Sequence, residues 1–403
     1  MLTLRLSAAA AAIAVLTPVL LAAIVRPSDG QPSPASPPFS AAVRAGHLVY
    51  FAGMLPTGDN GRVVSGDVKA QTRRALDNLA ALAPRHGTTL ERAAAVTVYL
   101  TRAEDFAAMN EVYRTYWPKD PPARTTVIAS LAVPEALIEI AMVAVAEGAP
   151  RVVVHPAGWM AAANPYSYGI LAGDTLFTSG LLSRSGKDNS VMAGDITAQT
   201  TAVLDNARAV LDAGGMTPGD VVSARVYLTD AANFQAMNAA YRTFFVKDPP
   251  ARATVRAGLT APPYLVEITL VAVKGGDRQV VTTPNADGTP GRPNAVLSSA
   301  IRVGDRLFLS GMLGATEQTR GDAAAQTRET LARLGRTLSA AGFAWPDVVE
   351  TTVWLTDLSQ FGAMNSAYRA VVPPPFPARA TVGAGLMGAD GLVEIAMAAV
   401  RRR

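Results

Sequence analysis

The chain has 403 residues, 49% of them hydrophobic and 17% charged, with 33 glycines and 28 prolines. This excludes a largely disordered or fibrous protein, and at roughly 100–200 residues per domain it leaves room for two to four domains with cores of their own. The net charge of +4, from 36 basic and 32 acidic side chains, is too balanced to mark a dedicated nucleic-acid binder, and the lack of cysteine removes disulfides, thiolate metal sites and a cysteine nucleophile together.

In chain order, Arg5 precedes an uncharged run from Leu6 to Val25, closed by Arg26. A basic start and an apolar run read as a secretory signal, and 20 such residues also suffice for an uncleaved membrane anchor. Pro18 favours the signal. The following RPSDGQPSPASPP, residues 26–38, reads as a solvated spacer. Residues 1–33 are therefore expected to be a leader or anchor with its spacer, and the protein to be exported, periplasmic or secreted. No later run is long enough to span a bilayer.

The rest of the chain repeats three times. FAAMNEVYRTYWPKDPPARTTV begins at Phe106, FQAMNAAYRTFFVKDPPARATV at Phe234 and FGAMNSAYRAVVPPPFPARATV at Phe361. The arginines Arg124, Arg252 and Arg379 lie 128 and 127 residues apart, too long a period for a solenoid. Each is followed 15 residues later by a glutamate (Glu139, Glu267, Glu394) and preceded by 14 by an asparagine (Asn110, Asn238, Asn365). The expected domains span residues 34–148, 155–275 and 292–403, joined by APRVVVHPAG and TTPNADGTPGRPN as linkers.

Within the first repeat, a short strand at 41–44 pairs with a strand over 47–55. A helix runs over 68–82 with Asp67 as N-cap. A strand over 94–100, a helix over 104–117, and strands over 125–131 and 137–145 complete the order ββαβαββ. Two amphipathic helices would cover one face of a mixed sheet. The other face is apolar too, so three sheets are expected to bury their free faces together around a pseudo-threefold axis.

Alternation along LIEIAMVAV puts Glu139 on one side with Leu137, Ala141 and Val143. A carboxylate there is costly unless paired, and Arg124, on the preceding strand, is the nearby candidate. Two readings stay open. One is a buried structural ion pair. The other is a site in which arginine binds a carboxylate through its planar fork and glutamate orients or deprotonates a water. Asn110 on the second helix adds a hydrogen bond or is a helix-surface group.

The D-P-P-A-R-x-T-V and I-E-I segments, the aromatic-Ser motif (PPFS at Pro37, NPYS at Asn164) and the F-x-S-G strand (FTSG at Phe177, FLSG at Phe308) resemble those of the YjgF/RidA family of enamine/imine deaminases. The likeness covers each repeat almost end to end. It implies an α+β fold of three tandem chorismate-mutase-like domains forming an intramolecular pseudo-trimer, with sites in the clefts between domains. By resemblance, the three arginines anchor a substrate carboxylate, the three glutamates position the attacking water, and the three asparagines belong to the site. It further implies a cofactor-free hydrolase of the 2-iminobutanoate/2-iminopropanoate deaminase type, acting on a small imino or oxo acid; the fused repeats are expected to form a monomer, and the balanced charge speaks against a nucleic-acid partner. The family tyrosine is kept only as Tyr166, its counterparts being Phe39 and Leu297. The family serine–glycine pair is kept as Ser179–Gly180 and Ser310–Gly311, with Ala52 in the first repeat. Thr126, Thr254 and Thr381 stand where some members carry cysteine. A non-catalytic carboxylate-binding protein with degenerate sites is the alternative.

GAGLMG at Gly383 matches a dinucleotide fingerprint, but a strand follows it instead of a helix, and GLLSRSGKD at Gly180 departs from a phosphate loop in spacing and in its last residue. His47, His86 and His155 do not recur between repeats, which argues against a shared histidine base or metal site. No basic stripe is interleaved with aromatics as a ribonuclease surface would need.

Overall fold

A computed structural model describes residues 37–401. The expected leader or anchor, residues 1–33, lies outside the described residues. Among those described, no helix is long and apolar enough to cross a membrane.

Local signals place the first helix where the sequence puts it, at Val68–Leu82. The Asp67 carboxylate accepts the Ala70 N–H at 2.9 Å, satisfying a donor of the first turn that has no partner within the helix. Asp195 and Asp322 cap Ile196–Ala213 and Ala323–Ala340 in the same way. Leu76 and Leu79 are fully buried, each contributing about 1.5–3 kcal/mol. The second helices are Phe106–Tyr116, Phe234–Phe244 and Phe361–Val371.

The first sheet runs Ala42–Ala45, Leu48–Met54, Ile138–Val145, Ala93–Leu100, Ala123–Ile128, with only the last two strands parallel. Its helices close over one face, burying Ile138, Ile140 and Met142. The opposite face meets the other two sheets. Tyr99, Tyr227 and Trp354, one from each repeat, share a single buried cluster there, and a second such cluster joins Val43, Ile170 and Val349. The expected α+β pseudo-trimer is thus formed.

Two expectations are corrected. The strand expected over 125–131 stops at Ile128, and Ser130–Leu131 crosses to pair with Ala378–Gly383 of the third repeat. Gly258–Leu259 likewise pairs with Ala123–Ile128, and Gly385–Leu386 with Ala251–Arg256, so each repeat lends a two-residue strand to a neighbour. Gly383 and Gly385 of GAGLMG therefore serve a strand crossover. The first linker, in turn, is not merely a connector. Its Arg151–Val154 pairs with Gly169–Ala172, and Arg278–Val281, just before the second linker, pairs with Ala300–Val303. Pro150 and Pro156 flank the first of these short edge strands and hide it from a pattern reading.

Fusion also permits asymmetry at the centre. Arg225 and Glu350 form a 3.1 Å ion pair lining a central cavity of about 90 Å³. In the first repeat the equivalent positions hold Thr97 and Ala95. Removing one partner of this partly buried pair strands the other charge, so Arg225→Thr is expected to lower stability by about 1–3 kcal/mol. The double variant Arg225→Thr/Glu350→Ala, which carries the first repeat's residues, is expected to recover most of that loss in urea unfolding.

Candidate functional site

Alternation separates the arginine and glutamate of any one repeat. In Ala123–Ile128, Ala123 and Val127 pack into the centre, which turns Arg124 and Thr126 to the helix side. In Ile138–Val145 the helix side belongs to Ile138, Ile140 and Met142, which turns Glu139 to the centre. The pairing of Glu139 with Arg124 suggested by a single repeat is therefore not formed. Glu267 instead lies near Arg124, Glu394 near Arg252 and Glu139 near Arg379.

The seam that joins them is an edge-strand problem. Within its own repeat, strand Ala123–Ile128 has a sheet partner on one side only, and its other edge needs partners for its backbone. The second repeat supplies them. Ser167 bridges Ala123, the Gly180 N–H donates to the Arg124 carbonyl at 3.1 Å, and the Glu267 carboxylate accepts the Thr126 N–H. The aromatic-Ser motif is the latch: the Ser167 hydroxyl donates to the Pro121 carbonyl at 2.6 Å, with Ser298 and Ser40 doing the same at Pro249 and Phe376. In the other seams Thr254 and Thr381 give their N–H to Glu394 and Glu139. The glycine of the F-x-S-G strand is required by close approach, since a Cβ at Gly180 would overlap the Glu267 carboxylate. Gly311 and Gly53 face Glu394 and Glu139 in the same way.

Each arginine is set by its own second helix. The guanidinium of Arg124 stacks 4.6 Å from the Tyr113 ring, Arg252 4.6 Å from Tyr241 and Arg379 4.8 Å from Tyr368. The sequence reading passed over these tyrosines, although each stands 11 residues before its arginine in all three repeats. It also passed over Gln71, Gln199 and Gln326. Gln71 donates to the Glu135 carbonyl at 3.0 Å and accepts the Leu137 N–H at 2.7 Å, fixing the strand two residues before Glu139, and the other two repeat the arrangement.

The three seams then diverge. Asn238 Oδ1 accepts from Arg252 Nη2 at 2.7 Å, and Asn365 accepts likewise from Arg379. Asn110 instead turns to Asn164, at 3.4 Å, leaving Arg124 uncommitted. Ser310 spends its hydroxyl within its seam, accepting the Arg252 N–H at 2.7 Å and donating to the Ser298 carbonyl at 2.6 Å. The buried Ser179 hydroxyl and the buried Thr254 hydroxyl have no protein partner. Phe39 lies 5.3 Å from Arg379. Leu297 precedes the Ser298 latch, at the register of Tyr166 in the second repeat.

Arg124, Thr126, Glu267, Tyr166, Gly180, Leu182 and Arg184 line a cavity of about 280 Å³ between the first and second repeats. No salt bridge within 4.0 Å joins any of the three arginines to any of the three glutamates. All six are buried, and Nη1 of each arginine lacks a partner. Burial pushes each glutamate up to about 8, against the opposing pull of the threonine amide and the facing arginine. Burial also lowers all three arginines, Arg379 to about 10. A guanidinium with unused donors facing a proton-exchanging carboxyl across an open space is suited to a small carboxylate with a reactive centre beside it. Among the described residues no three His, Asp or Glu side chains gather as metal ligands.

The fold and these seams define a class: three small α+β domains in one chain, whose seams each bring an arginine from one domain near a glutamate from the next. The family model described as Endoribonuclease L-PSP matches residues 30–146, 158–274 and 290–401. The chain belongs to this family, that of the YjgF/RidA proteins, as three tandem copies of its unit. A RutC family protein of Saccharolobus solfataricus is 42% identical over 111 residues, 28% of this chain and 88% of its own length. Another from Pyrococcus horikoshii is 40% identical over 121 residues, 30% of this chain and 95% of its own. Among solved structures, a chorismatase 18% identical aligns with a TM-score of 0.50 over 77% of this chain and 93% of its own, a likeness of fold. The E. coli YjgF gene product is 31% identical over 31% of this chain and 99% of its own, with a TM-score of 0.29.

The raised glutamates make stability pH-dependent. Each releases its proton near 4.5 when unfolded and near 8 when folded, so the folded chain holds protons the unfolded one has lost. The stabilisation is complete below about 4.5 and is lost as pH rises through 8. Denaturant unfolding between pH 5 and 9 is expected to show this decline, and Glu394→Gln, uncharged throughout, to make it shallower.

Proposed function

We propose that the chain hydrolyses enamine or imine forms of small amino acids to 2-oxo acids and ammonia, and that the cleft between the first and second repeats is the working site. The observation that carries this is Arg124 and Glu267 lining one small cavity without touching each other. Arg124 holds the substrate carboxylate through its free donors, leaving the imine carbon toward Glu267. With a pKa pushed up to about 8, Glu267 carries a proton at neutral pH, donates it to the imine nitrogen and then orients the water. Water adds to the imine carbon to give a carbinolamine. Proton return through the same carboxylate expels ammonia and leaves the 2-oxo acid. The Tyr166 hydroxyl, kept neutral by burial, borders the same space.

A second reading applies to the other two seams. Asn238 and Asn365 already engage the arginines there, and Leu297 and Phe39 replace the tyrosine. These seams bind small carboxylates without turning them over. The endoribonuclease description of the family is less well suited to this cleft, whose volume fits one small acid better than a nucleotide chain. As an exported monomer, the chain would meet imines produced by amino-acid oxidation outside the cytoplasm.

The test is ammonia release from 2-iminobutanoate generated in situ by an amino-acid oxidase. Arg124→Ala and Glu267→Gln are each expected to lower kcat/KM about 10²–10⁴-fold, and Arg252→Ala to change it less than about twofold. No acceleration over buffer, or equal losses at Arg124 and Arg252, contradicts the proposal.

A further inference from the structure

The working cleft contains a second guanidinium that neither the fold nor the reaction above requires. Arg184 lines the same cavity as Arg124, Tyr166 and Glu267, and also the adjoining small cavity of about 20 Å³ that holds Ser179. It is half-buried, and no carboxylate pairs with it among the described residues. Its Nε donates only to the Asn189 carbonyl, at 2.8 Å. Its position is built rather than incidental. Asn206, from helix Ile196–Ala213, donates to the carbonyls of Leu182 and Arg184 at 3.0 and 2.7 Å.

The first repeat keeps this scaffold and changes the side chain, while the third replaces the asparagine by Arg333, which donates to the Leu313 carbonyl at 2.8 Å. Leu181, Met54 and Met312 pair with Ile268, Ile140 and Ile395, which aligns Arg184 with Thr57 and Ala315. Asn78 donates to the Thr57 carbonyl at 3.0 Å as Asn206 does to Arg184. At this position a cation therefore occurs only in the repeat that also keeps Tyr166. With Glu267 largely protonated at neutral pH, a monocarboxylate would neutralise one guanidinium and leave the other uncompensated in a confined space.

We propose that this cleft selects dicarboxylic imino acids, Arg124 holding the carboxylate beside the reacting carbon and Arg184 the distal one. The proposal rests on the reading of this cleft as the working site and names its substrate class. Arg184 is a specificity-determining residue, and a four- or five-carbon diacid is small against the cavity volume.

Calorimetric titration of the full chain with 2-oxoglutarate and with 2-oxopentanoate, which lacks only the distal carboxylate, tests it. 2-Oxoglutarate is expected to bind about 10- to 100-fold more tightly. Arg184→Gln is expected to abolish that preference while changing 2-oxopentanoate affinity less than twofold, and Arg184→Lys to keep part of it, which guards against a loop that merely fails to form. Equal affinities in the parent, or a preference that survives Arg184→Gln, overturn the inference. A preference without turnover of any imine supports it while contradicting the proposed reaction; imine turnover without a preference does the reverse.

Discussion

The free edge of strand Ala123–Ile128, and of its two equivalents, is the constraint on which the molecule depends. Backbone groups there cannot be left unpaired inside a protein, and no strand of the same repeat reaches them. The neighbouring repeat closes the edge with a serine bridge, a glycine N–H, a carboxylate and a two-residue strand. The same closure delivers the glutamate to the arginine. Assembly and site formation are thus one event, and a lone repeat would hold an arginine without its glutamate.

Tandem fusion changes what such a seam can become. In a trimer of identical chains every seam is the same and every residue near the axis appears three times. Here the axis carries Arg225 against Glu350, and one seam keeps Tyr166 and adds Arg184 while the others commit their arginines to asparagine. Fusion also keeps the partner domains at high effective concentration, so loss of function in one seam need not cost assembly.

Much of the fold was legible because its signals are local. The helix Val68–Leu82, its Asp67 cap and the burial of both sheet faces follow from periodicity and a single side chain. The repeat spacing singled out the arginine, glutamate and asparagine without any coordinates. What stayed hidden was tertiary. Alternation fixes a side chain's face only once strand register is known, so Glu139 was matched to Arg124 when the sheet turns them apart. The strand Arg151–Val154 looked like linker because its pairing partner is a hairpin that begins 15 residues after it ends. Tyr113 went unremarked, and its stacking on Arg124 emerges only when the helix is laid on the sheet. Arg184 sits inside the GLLSRSGKD stretch that departs from a phosphate loop, and because it does not recur nothing else marked it.

The central claim is that each site is shared between repeats, and a double-mutant cycle on ligand binding tests it most directly. Binding of 2-oxobutanoate is to be measured for Arg124→Ala combined with Glu267→Gln, its partner across the seam, and with Glu139→Gln, its neighbour in the same repeat. Shared sites predict coupling of about 0.5–3 kcal/mol in the first pair and additive effects in the second. Coupling within the repeat and additivity across the seam would contradict the account.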